Sequence, residues 1–433
     1  MVRLLPLLAV LALPCCAQGA DDLARRADLG AAIAGPQDER SARIVRFRPA
    51  GVLEQAGLRV GDEILAFDGV ALTSETFGPA VRRLRGGKAL RVAWKRGEEK
   101  GEVAVTLPAM REEAIEGAHV RYGSARSAKG YRVRTYTTRP AGASGRLPLV
   151  VFVPWLSCSP VENPFPTTDG WMKMLHALAR DSGAQLVRIE KPGVADSEGP
   201  DCSATDLEHD MEAFRAGIRA ALADPGADPA RLYLMGGSIG GALVAVLAKE
   251  FNARGLIVTG GFARTWYEHM LDIERRRLTL SGQTPAQVNA AMRMFIPFYD
   301  RVLVQGETPA QAIAANPSWK THWYDEPARQ YGRPIRYYQQ VQALDVEGAF
   351  AAAQIPTLVV WGEYDWIMGR DESERVAAIL GSKATYVVRR GMNHHFDVYP
   401  DAKKAFDEEG GIYDEGAAKA IVSWLKGQTL DAP

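Results

Sequence analysis

The stretch YLMGGSIGG, residues 233–241, places a serine among glycines where an apolar run ends. The run before it is typical of a buried strand, and ALVAVLAKEF after it is typical of a helix. A serine on a tight strand-to-helix turn adopts strained backbone angles, so the residues two positions away on either side must be small. Gly236 and Gly240 meet that requirement. The pattern therefore predicts an exposed, nucleophilic Ser238 at a helix N-terminus.

A serine hydroxyl is a weak nucleophile and needs a base, which an acid must orient. Asp365 follows the apolar run TLVVWG, and His394 follows ATYVVRR in the segment RGMNHHF. Each lies just past the end of a predicted strand, at the edge where parallel sheets hold their sites. A phosphate-binding loop is the rival interpretation of the serine turn, but neither G-x-x-x-x-G-K-[ST] nor G-x-G-x-x-G fits.

The second part of the chain alternates strands and helices. A hairpin is expected from residue 117, and continuous apolar strands then alternate with helices, which indicates a doubly wound, mostly parallel sheet. A segment at about 262–345 interrupts the pattern and is rich in aromatic residues and helix formers, so we expect a helical cap. Helices are predicted at 169–181, 204–223, 239–252, 371–380 and 414–426.

From about residue 117 to 430 the chain resembles an α/β-hydrolase with a cap inserted after its sixth strand. GGSIG, WGEYDWI and GMNHHF carry the resemblance. It implies a triad of Ser238, Asp365 and His394, in the family's chain order. Two alternatives stay open, because Glu363 could replace Asp365 as the acid and His395 could replace His394 as the base.

The resemblance also implies an oxyanion hole built from two backbone N–H groups. One belongs to Ile239, and the other is expected in the loop FVPWLSCSP, where Leu156 is the candidate. Many relatives have His-Gly where this chain has Pro154 and Trp155, so Trp155 is an alternative donor. A further hydrolase-like loop contains Asp196 and Ser197, which we interpret as turn residues without a chemical role.

The N-terminal part has a different character. Short alternating strands surround GLRVGDEIL, residues 57–65, which resembles the signature of a PDZ domain. The resemblance implies a groove that binds a peptide C-terminus by strand addition. A PDZ fold kept only as a scaffold or lid is the alternative. The groove would comprise a carboxylate loop at Leu29 and Gly30, a strand at Ala31–Ile33, and a helix that contributes Val81 and Leu84.

The first twenty residues are typical of a secretory signal, with Arg3, a short apolar stretch and small residues near the expected cleavage at 17–20. A lipid anchor on Cys15 or Cys16 is the less favoured alternative. We expect an exported, periplasmic or secreted protein. In an oxidising compartment, Cys158 and Cys202 are expected to form a disulfide, with two unpaired thiols as the alternative.

Composition and the absence of certain motifs argue against some classes of partner and cofactor. Lys+Arg and Asp+Glu both number 52, and no basic run occurs, so nucleic acid is not an expected partner. Neither H-E-x-x-H nor paired C-x-x-C is present, so no metal or other cofactor is expected. The cap aromatics are typical of packing, although several could line an apolar cleft. They are Trp266, Tyr267, Phe295, Phe298, Trp319, Trp323 and Tyr324.

We therefore predict a signal peptide (1–20), a PDZ domain (21–108) and an α/β-hydrolase domain (109–433). The expected activity is cleavage of a small-molecule carboxylic ester through an acyl-enzyme. A serine peptidase or amidase with the same triad is the first alternative. A PDZ-based binding protein with an inactive hydrolase domain is the second.

Overall fold

The structure, a computed structural model, describes residues 23–36, 41–325 and 327–427. The predicted signal peptide, with Cys15 and Cys16, lies outside the described residues. No helix within these ranges is long and apolar enough to cross a bilayer.

The N-terminal region is rich in β-structure. Its six-stranded antiparallel sheet has the order β1-β2-β3-β5-β6, with β4 paired to β3. Ile44, Leu53, Ile64 and Val92 are fully buried in a core of their own. The elements are β1 (Ala31–Ala34), β2 (Ala42–Phe47), α1 (Val52–Gln55), β3 (Glu63–Phe67), β4 (Val70–Ala71), α2 (Phe77–Arg83), β5 (Ala89–Arg96) and β6 (Glu99–Thr106).

The second region begins with a hairpin and continues as alternating strands and helices. These are β7 (Ala118–Arg126), β8 (Arg132–Pro140), β9 (Leu147–Val153), α3 (Gly170–Asp181), β10 (Gln185–Ile189), α4 (Leu207–Leu222), β11 (Ala227–Gly237), α5 (Ile239–Ala248) and β12 (Gly255–Thr259). Two predicted bounds were wrong. The helix expected at 204–223 begins at Leu207, because the Asp206 side chain caps it. The helix expected to reach residue 252 ends at Ala248.

The interruption predicted at about 262–345 is helical. It contains α6 (Trp266–Leu280), α7 (Pro285–Tyr299), α8 (Pro309–Ala315), the two-residue strands β13 (Arg329–Gln330) and β14 (Arg333–Pro334), and α9 (Ile335–Gln342). Three of these helices begin with a capping box, in which a threonine and the Glu or Gln three residues later satisfy each other's amides. The sequence therefore fixes where α6, α7 and α8 start.

The chain then returns to the sheet. The last elements are α10 (Val346–Ala353), β15 (Thr357–Gly362), α11 (Arg370–Leu380), β16 (Ala384–Arg389), β17 (Asp397–Val398), α12 (Ala402–Asp407), β18 (Ile412–Tyr413) and α13 (Glu415–Leu425). The eight-stranded sheet has the order β7-β8-β10-β9-β11-β12-β15-β16. All neighbours from β10 to β16 are parallel, while β7 and β8 are antiparallel to their partners. The predicted doubly wound, mostly parallel sheet is confirmed.

Alternate residues of the central strands enter different cores. On β9, Leu149 and Val151 pack with α4 and α5, whereas Val150 and Phe152 pack with α3 and α13. Helices thus cover both faces of the parallel strands, which explains why those strands are apolar without interruption. The carboxyl edge of the sheet is left for the loops and the cap.

Candidate active site

Ser238 occupies the turn between β11 and α5, with φ 57° and ψ −128°. A Cβ on Gly236 would lie 2.1 Å from the Gly240 carbonyl oxygen, and a Cβ on Gly240 would lie 2.2 Å from the Val153 carbonyl oxygen. Both positions therefore exclude any side chain. The Ser238 N–H donates to the Thr259 carbonyl at 2.9 Å, which ties the turn to β12. The tight turn predicted from the sequence is present, with a non-glycine residue in a strained conformation.

Asp365 and His394 meet at the ends of β15 and β16. With His394 Nδ1 facing the carboxylate, Nδ1–H donates to Asp365 Oδ2 at 2.8 Å. The other carboxylate oxygen accepts from the N–H groups of Ile367 at 3.0 Å and Met368 at 2.8 Å. Both side chains are buried. The carboxylate is therefore held by its own loop, and it fixes the imidazole so that Nε2 faces away from Asp365.

Ser238 and His394 border the same cavity, of about 370 Å³, together with Ile239 and Leu156. Asp365 lies behind the imidazole rather than on the cavity wall. The side chains expected from three distant segments thus converge at the carboxyl edge of the sheet. A serine, a histidine and a carboxylate behind the imidazole therefore meet at one cavity, which is the set of groups that acyl transfer by a serine uses.

The two alternative residues make other contacts. Glu363 Oε2 accepts from the Gly391 N–H at 2.9 Å, so this side chain stabilises the loop before the histidines. The His395 Nδ1 pairs with Glu408 at 2.8 Å, and its side chain is 44% exposed. Geometry therefore favours Asp365 over Glu363 and His394 over His395.

Ile239 and the loop after β9 border one side of the cavity. Ile239 is the first residue of α5, and the first N–H groups of a helix have no intrahelical acceptor. Lys191 stabilises the loop that carries Leu156, because its Nζ donates a hydrogen bond to the Ser157 carbonyl at 2.7 Å. Burial lowers the pKa of Lys191 to about 8. Sequence reasoning missed Lys191, because only the fold brings it under this loop.

Cys158 and Cys202 form a disulfide, with their Cα atoms 5.8 Å apart. Cys158 lies two residues after Leu156, so the bridge restrains the same loop that Lys191 holds. The cap contacts the bridge as well, because the Arg333 Nη1 lies 2.5 Å from the Cys202 sulfur.

Asp196 and Ser197 lie outside the cavity. Asp196 accepts from the Arg134 Nε at 2.9 Å and from the Arg26 N–H at 2.7 Å. It also accepts from the Arg25 guanidinium at 2.5 Å. The Ser197 hydroxyl accepts from the Arg134 N–H at 2.9 Å. These contacts join the N-terminal segment to the sheet, which agrees with the structural interpretation of both residues.

The candidate peptide-binding residues lie far from the triad in the chain and do not border its cavity. Leu29 and Ala31 are buried in the N-terminal core, and β1 forms an edge of its sheet. Gly30 has φ 64°, and its N–H donates to the Asp28 carboxylate at 2.7 Å. Val81 and Leu84, on and after α2, are partly buried against the same core.

The cavity wall is mostly apolar and aromatic. Its large apolar and aromatic side chains include Trp155, Trp171, Trp266, Ile273, Trp366 and Met368, and Ser157, Ser159, Asp169 and Tyr331 add polar groups to the wall. Of the cap aromatics singled out in the sequence, Trp266 borders the cavity, whereas Phe295, Phe298 and Trp323 pack within the cap. Sequence reasoning missed Trp171 and Trp366, which lie on α3 and in the loop after β15.

Comparison with known proteins agrees with this architecture. A model of the alpha/beta hydrolase fold matches residues 165–400, which is more than half of the chain. The chain belongs to the α/β-hydrolase family. The matched residues include Ser238, Asp365 and His394. No curated protein matches this chain.

Solved structures with a similar fold include two esterases. Carboxyl esterase 2 from Tuber melanosporum has 17% identity and a TM-score of 0.42, and the match covers 74% of this chain and 89% of that one. The esterase domain of a Rhodothermus marinus protein has 14% identity and a TM-score of 0.44, with 71% and 98% covered. DcsB in complex with its substrate analogue has 15% identity and a TM-score of 0.46, with 72% and 100% covered. At such values these likenesses do not decide the reaction of this hydrolase.

Proposed function

We propose that the protein is a serine hydrolase that cleaves carboxylic esters through an acyl-enzyme. The observation that carries the proposal is the strained Ser238 turn beside the Asp365–His394 pair on one cavity. Ser238 Oγ attacks the acyl carbon while His394 Nε2 takes its proton and later gives it to the leaving alcohol. Asp365 holds the imidazole tautomer. Water activated by His394 then releases the acid.

The negative oxygen of the tetrahedral intermediate needs preorganised donors. We assign this role to the Ile239 N–H and the Leu156 N–H. The dipole of α5 adds favourable potential, because Ser238 is the N-cap of this helix. The mostly apolar, tryptophan-rich wall supports an apolar acyl or alcohol group of modest size, since a cavity of about 370 Å³ is near the lower end for small-molecule sites.

Purified protein assayed with p-nitrophenyl butyrate and with an aminoacyl anilide tests the reaction. We expect ester turnover that exceeds anilide turnover and disappears in Ser238→Ala. Faster anilide cleavage, also lost in Ser238→Ala, would establish the peptidase or amidase alternative. Ester turnover unchanged in Ser238→Ala contradicts both enzyme proposals.

We also propose that residues 21–108 form a PDZ domain whose groove lies between β1 and α2. The edge position of β1 and the left-handed Gly30 support this proposal. An incoming peptide carboxylate must displace Asp28 from the Gly30 N–H, so Asp28→Ala should tighten binding of a free C-terminus. Fluorescent peptides with free and amidated C-termini, titrated against the full chain, test this. Equal binding of both forms contradicts a carboxylate site.

The proposed export rests on the first twenty residues, and the disulfide is compatible with an oxidising compartment. The intact mass of protein from the extracytoplasmic fraction checks it. A mature N-terminus at residues 18–21 is expected, and a chain that retains Met1 contradicts cleavage.

A further inference from the structure

A second cavity, of about 330 Å³ and termed the second cleft, adjoins the catalytic cavity. Trp155, Ser159 and Asp169 border both cavities. Ser159 and Asp169 are exposed, and Trp155 is half-buried, so a ligand can pass over these side chains from one cavity to the other. A substrate whose scissile bond lies at Ser238 can therefore extend beyond the catalytic cavity.

The second cleft lies between the N-terminal region and the loop after β9. Arg26, which precedes β1, and Met110, which follows β6, border one side of it. These two residues lie next to each other, because the Met110 N–H donates to the Arg26 carbonyl at 2.8 Å. Phe165, in the loop after β9, and Met172, on α3, border the other side. Residues from outside the hydrolase sheet thus reach a cavity that adjoins the catalytic one.

The chemistry of the second cleft favours an apolar occupant. Its charged side chains already have contacts within the protein, since Arg26 pairs with the buried Glu162 at 3.1 Å and Asp169 accepts from the Met172 N–H at 2.9 Å. The remaining large side chains offer apolar surface, which a hydrocarbon chain covers favourably. They are Met110, Trp155, Pro160, Pro164, Phe165 and Met172.

Both sides of the second cleft are held in place. On the N-terminal side, the Arg25 guanidinium lies 2.6 Å from the Glu162 carboxylate, whose side chain is fully buried. On the other side, the Asn163 N–H donates to Glu113 Oε1 at 3.0 Å, which ties the loop after β9 to a buried carboxylate. The cleft is therefore preformed, and an occupant does not have to order either side before it binds.

We propose that the substrate is an ester with an extended apolar chain, and that the far part of this chain lies in the second cleft against Met110 and Phe165. The catalytic cavity holds a group of modest size, and the second cleft takes the chain beyond it. The N-terminal region is then part of the substrate-binding site. The inference rests on the proposed ester hydrolysis and names the substrate class of the same site.

Matched pairs of long and short esters test the proposal. One arm compares p-nitrophenyl octanoate with p-nitrophenyl butyrate, which lengthens the acyl group. The other compares hexyl butyrate with ethyl butyrate, which lengthens the alcohol. In at least one arm we expect kcat/KM to favour the longer ester by about ten-fold or more, because the added methylene groups are buried in an apolar cleft. A ratio near one in both arms overturns the proposal.

Met110→Trp shows whether the second cleft is the source of this ratio. The indole fills the cleft, so the ratio of kcat/KM for the long ester to that for the short ester should come close to one. Val60→Trp adds the same ring at a position of the N-terminal region that is 60% exposed, and this matched control should leave the ratio unchanged. A ratio that survives in Met110→Trp means that the whole chain lies within the catalytic cavity, and it overturns the proposal.

A cross-linking probe gives a second measurement, which decides the question if Met110→Trp does not fold. Alkyl fluorophosphonates with a hexyl, octyl or dodecyl chain and a terminal diazirine are first allowed to react with Ser238 of the wild type. Light then expels N₂, and the carbene inserts into a nearby bond. With at least one chain length we expect cross-links to peptides that contain Met110 or Phe165. Cross-links confined to Trp266 and Trp366, on other walls of the catalytic cavity, overturn the proposal.

Failure of the ester reaction is recognised separately. Turnover of p-nitrophenyl butyrate, lost in Ser238→Ala, reports on the proposed function regardless of chain length. If no ester is cleaved and the probe does not react, calorimetry with Ser238→Ala compares binding of hexyl butyrate and ethyl butyrate. About ten-fold tighter binding of hexyl butyrate, lost in Ser238→Ala/Met110→Trp, supports the second cleft without catalysis. Equal binding of the two esters, or a preference that survives in the double variant, overturns it.

Discussion

Asp365 and Asp196 are two buried carboxylates in loops that follow β15 and β10 of the same sheet, yet they make different kinds of contact. Asp196 is bound by Arg134, Arg25 and the Arg26 N–H, two of which come from the N-terminal segment. Its hydrogen bonds join regions that lie up to 171 residues apart in the chain. Burial and charge alone therefore do not identify a reactive acid.

The hydrogen bonds of Asp365 are arranged differently. Two local N–H groups hold one oxygen, and the other oxygen accepts a hydrogen bond from His394. The imidazole in turn borders the cavity that Ser238 shares. A buried acid indicates a catalytic role when the group that it orients faces a cleft. It indicates a structural role when other segments of the chain surround it.

The largest effect is expected at the base. His394→Ala should lower kcat for p-nitrophenyl butyrate by about 10⁴–10⁶-fold, because no other group takes the serine proton. His395→Ala removes an exposed ring paired with Glu408 and serves as the matched control. Its kcat should stay within a few-fold of the wild type. The reverse ranking of the two variants would move the base to His395.

Asp196→Ala should destabilise the fold by about 3–5 kcal/mol, because the buried Arg134 guanidinium loses a charged partner. The free energy of unfolding, measured by urea denaturation, checks this. Asp181→Ala removes a carboxylate from an exposed pair with Arg180 and should cost less than about 1 kcal/mol. Equal losses in the two variants contradict the structural role of Asp196.

The Cys158→Ser/Cys202→Ser double variant lacks the disulfide. Its free energy of unfolding should be about 2–4 kcal/mol lower than that of the wild type, since the bridge closes a long loop. Thermal melts of the wild type with and without reductant provide a second measurement. Identical melts with and without reductant, together with an unchanged double variant, would show that the bridge contributes nothing to stability.

The buried carboxylate of Glu113 should make the stability of the fold depend on pH. Burial alone would raise its pKa, but the Arg188 guanidinium and the His176 hydrogen bond outweigh burial and hold the pKa of Glu113 at about 2, below its ordinary 4.5. A carboxyl group whose pKa is lower in the folded than in the unfolded protein stabilises the fold at pH values above its unfolded-state pKa. The stability difference between wild type and Glu113→Gln should therefore shrink as pH falls from 4.5 towards 2. A difference that stays constant over this range contradicts the ion pair.

Much of this site could be predicted because its signals are local. The glycines around Ser238 follow from the turn itself, and Asp365 and His394 follow from the ends of recognisable strands. The capping boxes likewise set the starts of cap helices. Such features need no knowledge of distant contacts.

Other features depend on contacts that the sequence does not display. Lys191 reaches the Ser157 carbonyl only because two loops meet at the sheet edge. From the sequence, Trp266 is one of several cap aromatics typical of packing and His269 belongs to no motif, because only the docking of α6 shows that both residues border the cavity. Asp196 was identified as structural, but its arginine partners could not be named from the sequence.

Fluorophosphonate labelling tests the central claim most directly, because it needs no knowledge of the natural substrate. We expect one probe per chain, located on Ser238 by mass spectrometry of its peptide, with labelling absent in Ser238→Ala and much slower in His394→Ala. A wild-type protein that does not react, or a probe attached to another residue, would contradict the account.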